Sequence, residues 1–147
     1  PLMNISLIKD TISYLDSLCF SNGLHFEYHM TTNAMLLEKH MDYIAEQKIQ
    51  LLISLDGNQF NDSYRTKKNG LESFEYVIHN IHALQSKYPD YFDRYVNFNA
   101  VLHNRNSVSD IMLFIKKEFD KIPTIAALST NGIRTDKQEE FWNMFHS

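Results

Sequence analysis

The chain has 147 residues, 44% of them hydrophobic and 22% charged, with a formal net charge of −4. This length suits one domain with a sizeable core, and the composition is that of a globular protein rather than a disordered or fibrous one. The acidic balance, without a Lys/Arg cluster, argues against a nucleic-acid surface, and no apolar run is long enough to span a bilayer. No signal-peptide pattern opens the chain, and the single cysteine, Cys19, can form no internal disulfide, so a reducing cytoplasm is expected. The helical pattern begins almost at Pro1, as expected of a piece cut from something longer.

From Asn4, a good helix N-cap, Ile5, Ile8, Ile12, Leu15 and Leu18 recur at helical spacing until Asn22-Gly23 supplies a stop. Leu24, Phe26, Tyr28 and Met30 alternate with His25, Glu27 and His29, which predicts a strand from Leu24 to Met30 that ends at Thr31-Thr32-Asn33. A second helix carries Leu37, Met41, Ile44 and Ala45 on one face. Gln50 to Gly57 opens with an apolar run too short for a helix, the mark of a buried parallel strand. A polar loop, Asn58 to Gly70, comes next; it holds Asp62, Tyr64, Arg65, Lys67 and Lys68, and is long beside the roughly two to six residues usual for such a connection.

Ser73 can cap a third helix whose buried face is Phe74, Val77, Ile78, Ile81 and Leu84, and Tyr88-Pro89-Asp90 is expected to break it, with Asp90, Asp93 and Arg94 in a solvated turn. Tyr95 to Leu102 reads as a third strand, with Val96, Phe98, Ala100 and Leu102 on one face and Asn97, Asn99 and Val101 on the other. Ser107 or Ser109 starts a fourth helix carrying Val108, Ile111, Met112, Ile115 and Phe119. Pro123 precedes a strand over Thr124–Leu128 that ends in Ser129-Thr130-Asn131-Gly132, and Thr135 caps a short last helix with Phe141, Trp142 and Phe145. The aromatic residues follow helical spacing and are expected in the core.

The order αβαβαβαβα implies a parallel sheet with right-handed crossovers. An open doubly wound sheet and a barrel segment share this pattern. Polar residues at every strand end, near Asn33, Asp56, Leu102 and Ser129, favour an α/β partial (β/α) barrel of about four parallel strands, in which several strand ends build one site. The four glycines form no phosphate loop. Among the strand-end residues, Ser54 and Asp56 can each be a binding group or ordinary turn chemistry, in which an Asp before Gly bonds its own loop backbone. Asn33 can serve as a helix cap, as a binding group or as both. Seven histidines suggest a metal site, but no pattern completes one: His79 and His82 are i,i+3 on a helix with no further ligand, and His25 and His29 lie on a strand's polar face. His103, just past a strand end, is the one placed to approach a ligand.

In series, these pieces resemble the radical S-adenosylmethionine (SAM) enzymes of the SPASM-bearing branch that matures peptides and sulfatases. The residues carrying the resemblance are Pro1-Leu2, Thr32-Asn33, Ser54-Leu55-Asp56-Gly57, Asp62 with Arg65, Lys68-Asn69-Gly70 followed by Ser73-Phe74, and Asn99-Ala100-Val101-Leu102, in family order over residues 1–118. Two departures stand out. Ala34 occupies a position where the family has Gly, and neither the C-x-x-x-C-x-x-C cluster motif nor the Gly-Gly-Glu is present.

The resemblance implies a single-domain piece, residues 1–147, of a radical SAM core barrel from an oxidoreductase that modifies a peptide or protein. In the whole enzyme, a [4Fe-4S] cluster and SAM would give a 5′-deoxyadenosyl radical that abstracts hydrogen from the substrate. It implies that Asn33 and Ser54 bond the amino-acid or ribose part of SAM, that Arg65 pairs its carboxylate, that Asn99 is polar lining, and that Val101 with Leu102 give an apolar edge for adenine. With one cysteine, the piece alone is expected to bind neither cluster nor cofactor and to be inactive. Its first strand would be an open edge, so self-association is expected. The rival reading is a non-catalytic α/β module that holds a nucleotide-like ligand or a peptide at the same strand ends.

Overall fold

A computed structural model describes residues 1–64, 73–127, 136, 138–139 and 142–143. The sequence-predicted Arg65, Lys67, Lys68, Asn69, Gly70, Leu128, the 129–132 strand exit, the Thr135 cap, Phe141 and Phe145 lie outside the described residues. The helices are α1 (Ile5–Asn22), α2 (Leu37–Glu46), α3 (Phe74–Lys87), α4 (Pro89–Tyr95) and α5 (Val108–Phe119). The strands β1 (His29–Thr32), β2 (Gln50–Ser54), β3 (Val96–Leu102) and β4 (Thr124–Ala127) form one parallel sheet in the order β1-β2-β3-β4. Sequential strand order with helical crossovers fits a partial (β/α) barrel, as the alternating pattern predicts.

Two compact units make up the chain, Pro1–Ile53 with Glu75–Asn97, and Ser54–Phe74 with Phe98–Ser147. In the first, Asn4 caps α1 by accepting from Leu7 N–H, and Gly23 (φ 66) ends it in the left-handed conformation that a Cβ disfavours. β1 pairs with β2 in parallel, His29 opposite Gln50 and Thr32 opposite Ile53. The predicted strand over residues 24–28 is therefore corrected. Its partner runs out, because the chain before Gln50 turns through Lys48 (φ 50), leaving one bond from Gln50 N–H to the Tyr28 carbonyl. Leu51 and Ile53 are buried with Leu37, Met41 and Ile44 of α2 and with Val77, Ile81 and Leu84 of α3, while His29 and Thr31 are exposed. This is the period-two, one-face-covered pattern of a helix-backed sheet.

As expected, α3 ends at Lys87, just before Tyr88-Pro89, but Pro89 also starts a new helix. It occupies the first turn of α4, where its missing N–H costs nothing, so the expected solvated turn at Asp90, Asp93 and Arg94 is an exposed helix face instead. The buried Tyr91 of α4 donates its hydroxyl to the Ile49 carbonyl. Nor are all aromatics core: Phe60, Tyr14 and Trp142 are among the exposed large hydrophobics.

The exit of β1 is sharp despite lacking glycine. Ala34 is fully buried and left-handed (φ 59), a conformation that costs an L-residue about 1–2 kcal/mol. Side chains fix it. Thr32 Oγ1 accepts from Ala34 N–H (3.1 Å), and the fully buried Asn80 of α3 donates to the Ala34 and Met35 carbonyls (2.9 and 3.3 Å). Asn80→Leu should lower unfolding free energy by about 1–3 kcal/mol, because it leaves the buried Ala34 carbonyl and the part-buried Met35 carbonyl without their donor; urea denaturation measures it, and a change within error would remove this role. On the surface of the same unit, hydrogen bonds from Lys87 (2.7 Å) and Tyr88 (2.9 Å) hold the Asp42 carboxyl below its ordinary value. A carboxyl depressed in the fold stabilises above its unfolded value and ceases to as pH falls through the folded one. Asp42→Asn should thus flatten that acidic part of the stability–pH curve.

The second unit is simpler. Phe98 and Ala100 of β3 are buried with Ile111, Ile115 and Phe119 of α5, and Phe98 stacks on Phe119 with centroids 4.8 Å apart. Ser107 caps α5, accepting from Asp110 N–H, and the left-handed Asp120 (φ 56) ends it. β4 runs parallel to β3, Asn99 opposite Thr124 and Val101 opposite Ala126.

Candidate functional site

Parallel sheets offer ligands the space beyond the carboxyl ends of their strands. In the second unit, that end is built by the 54–62 segment, the end of β3 and the turn after it. Period-two alternation puts Asn99 and Val101 of β3 on the face opposite Phe98 and Ala100, with their register partners Thr124 and Ala126. Ser54 joins that face, donating its hydroxyl to Asn99 Oδ1 at 2.9 Å. This bond uses the one Ser54 proton and one Asn99 lone pair. The Ser54 lone pairs and the Asn99 amide protons remain as uncharged acceptors and donors on a part-buried surface.

Beneath the pair lies a buried polar framework centred on Asp56, which is 4% exposed. Leu55 N–H donates to the Asn99 carbonyl (3.0 Å), as a parallel ladder requires. The next rung would run from Val101 N–H to the Leu55 carbonyl; instead Val101 N–H donates to Asp56 Oδ1 at 2.8 Å. The carboxylate thus takes over the ladder two residues past the end of β2, freeing the backbone to turn away at Gly57. Asp56 N–H donates to Asp62 Oδ1 (2.9 Å), and the Asp56 carbonyl accepts from Asn106 Nδ2 (3.1 Å). Asn106 Nδ2 also donates to the Val101 carbonyl (2.9 Å), while Asn106 Oδ1 accepts from His103 N–H (2.9 Å). Asp56 serves the backbone, as its reading as a structural residue expects, and its carboxylate reaches across to β3.

The loop is tied to this framework at several points. Asn58 Oδ1 accepts from Phe60 N–H and Asn61 N–H (3.0 and 3.1 Å), the Asx-turn geometry that a short polar side chain allows. Asn61 Nδ2 reaches the Arg105 carbonyl at 2.5 Å. Gly57 (φ 123) passes so close to Asn61 that a Cβ would lie 2.7 Å from its Oδ1. His103, 5% exposed, is part of the framework and not of the open face. Its Nδ1 accepts from Arg105 N–H (3.1 Å), and its Nε2 lies 3.2 Å from Asn106 Nδ2 and 4.0 Å from Asp56 Oδ2.

Of the sequence-predicted site residues, Ser54 and Asn99 are in contact, and Val101 shares their face. Leu102 follows the opposite alternation, with Phe98 and Ala100. Asn33, in the first unit, is exposed and accepts from Met35 N–H at 3.3 Å, an Asx turn ahead of the helix; the N-cap of α2 is Leu36, without a side-chain cap bond, so the expected helix cap at Asn33 is corrected. Arg65 lies outside the described residues. Sequence reasoning missed Asn58, Asn61 and Asn106; the available signal was the density of Asn and Asp at 56–62 and around 103–106. A cleft of about 580 Å³ in the first unit is lined by Asp42, Ala45, Glu46, Lys87 and Tyr88, away from any strand-end residue, and its lysine is already held by Asp42. Among the described residues, no group of three or more His, Cys, Asp or Glu is placed to hold a metal ion, and no helix is long and apolar enough to cross a membrane.

The architecture is shared with solved structures of anSMEcpe, a SPASM-type radical SAM anaerobic sulfatase maturase. The structure with bound AdoMet and the Kp18Cys peptide superposes with a TM-score of 0.74 at 18% identity, over 91% of this chain and 38% of that one. The structure with AdoMet and the Cp18Cys peptide gives 0.66 at 19% identity, over 86% and 37%. The resemblance read from the sequence is thereby upheld at the level of the fold. An uncharacterized protein of Methanocaldococcus jannaschii is 36% identical over 87 residues, 58% of this chain and 30% of that protein. The chain thus spans well under half the length of the proteins it matches. No protein-family model matches it.

Gly57→Ala should cost about 1–3 kcal/mol of stability, because the position is both strained and filled by Asn61; thermal or urea unfolding reads it, and a neutral substitution would mean that the loop is not tied as described.

Proposed function

We propose that this chain is the SAM-holding part of a radical SAM oxidoreductase that modifies a peptide or protein. The observation that carries the reading is the Ser54–Asn99 pair at the carboxyl ends of β2 and β3, on a fold shared with a maturase crystallised with AdoMet and peptide. Hydroxyl and amide groups that both donate and accept suit the ribose hydroxyls and the amino-acid end of SAM, where a fixed charge is not needed. Ser54 and Asn99 take the polar part of the cofactor, and Val101, on their face, gives adenine an apolar edge. Asn33, Arg65 and Leu102 complete the proposed set, with Arg65 pairing the carboxylate. In the whole enzyme, bound SAM, given one electron by the cluster and losing methionine, would supply the radical chemistry that removes a hydrogen atom from the substrate.

The residues present do not fit an iron–sulfur cluster, since such a cluster needs several grouped thiolates and this sequence has one cysteine, Cys19, on α1. The cluster, the radical step and the peptide substrate therefore belong to the whole protein, in the reducing cytoplasm that one cysteine suits. The 147 residues by themselves are proposed to be inactive and to self-associate through open sheet surface.

The reading frame upstream of Pro1 should encode C-x-x-x-C-x-x-C, and the protein made from that frame should bind iron and cleave SAM anaerobically. Ser54→Ala in that protein should weaken SAM by about two- to tenfold, the worth of one hydrogen bond. An upstream frame without the cysteines, together with unchanged SAM affinity in Ser54→Ala, would overturn the proposal and favour a non-catalytic binding module.

A further inference from the structure

We infer that Asp56 is a positioning residue whose carboxylate replaces a ladder carbonyl in order to hold Ser54 and Asn99 together. The inference takes its ligand from the proposed SAM-holding role, but its geometry stands without it. Two successive bonds bind β3 to the segment leaving β2, Leu55 N–H to Asn99's own carbonyl and Val101 N–H to Asp56 Oδ1, two residues further on. Ser54 immediately precedes the first. A ladder continued by the Leu55 carbonyl would keep the backbone at Asp56 and Gly57 in the sheet and run the strand on past the pair. A ladder ended at Leu55 without a substitute would leave Val101 N–H unpaired and free the end of β3 beside Asn99. The carboxylate avoids both outcomes.

Asp56 cannot do this and also touch a ligand. One carboxylate oxygen is taken by Val101, the other faces His103 Nε2 at 4.0 Å, and the residue is buried. Its backbone N–H and carbonyl are held by Asp62 and Asn106. Turning the carboxylate toward the open face would break the rung to Val101. Asp56 therefore acts through the Ser54–Asn99 pair, as a support for groups that meet the ligand.

The test combines a ligand-free and a ligand-bound readout. In the 147-residue chain, amide hydrogen exchange at Val101 should be slow in the wild type and in D56N, which retains an oxygen acceptor, and fast in D56A. In the protein made from the complete reading frame, D56A should weaken SAM by about tenfold and D56N by less than about threefold, while D56A on an N99A background should add less than about twofold, because both act on one arrangement. If D56A does not fold, D56S, whose hydroxyl is too short to span to Val101, replaces it. Multiplying effects of D56A and N99A, or a D56N loss as large as that of D56A, would make the Asp56 charge a direct ligand contact and overturn the inference. Unchanged Val101 exchange in D56A would overturn it as well. If the wild type binds no SAM, the SAM reading fails; Val101 exchange and the D56A–N99A coupling in urea unfolding then decide the positioning role by themselves.

Discussion

The hydrogen bond from Val101 N–H to the Asp56 carboxylate is the constraint on which the strand-end site depends. A parallel ladder has no internal reason to stop, and a backbone group released from it inside a protein must find another partner. Here a side chain two residues beyond β2 supplies that partner, so the main chain can leave the sheet at Gly57 without leaving the Val101 amide unpaired. Beyond Gly57 the chain enters the tightly bonded turn through Asn58, Asn61 and Asp62, locked to the segment after β3 by Asn61 and Asn106. The result is a rigid floor under two uncharged polar side chains.

The first unit solves the same problem with a different residue. At the end of β1 the chain turns through a left-handed alanine, and the amide of Asn80 holds the carbonyls that the turn exposes. In both places a strand exit is stabilised by a buried side chain, an aspartate in one and an asparagine in the other. The helices contribute apolar cover on one face of their strands. The opposite face in the second unit carries Ser54, Asn99, Val101, Thr124 and Ala126, an uncharged, mixed surface of the kind that binds a polar organic molecule.

Most of this was legible in the sequence where the signal was periodic. Helical spacing from Ile5, the alternation from Val96 and the caps at Asn4 and Ser107 predict elements that the structure contains. Residues 24–28 mislead because alternation records which face a residue would take and not whether a partner strand exists to pair with it. Pro89 marks the end of α3 as read but conceals α4, because the same ring that cannot sit inside a helix is well suited to begin one. The pairing of Ser54 with Asn99 was visible only as two polar residues at strand ends; their contact depends on register. The role of Asp56 was hidden for the same reason, since its partner, the Val101 amide, is a backbone group that any sequence would offer.

A strand-end pair of hydroxyl and amide, on a fold shared with a maturase, accounts for the chain as a cofactor-holding segment. The most direct measurement is a ¹⁵N-resolved titration of SAM into the protein made from the complete reading frame, following the Asn99 side-chain amide. The account predicts that this signal shifts and saturates with SAM, together with the backbone amides of Ser54 and Val101. An Asn99 signal that does not move while SAM binds elsewhere, for example at the Asp42–Lys87 cleft of the first unit, would contradict it.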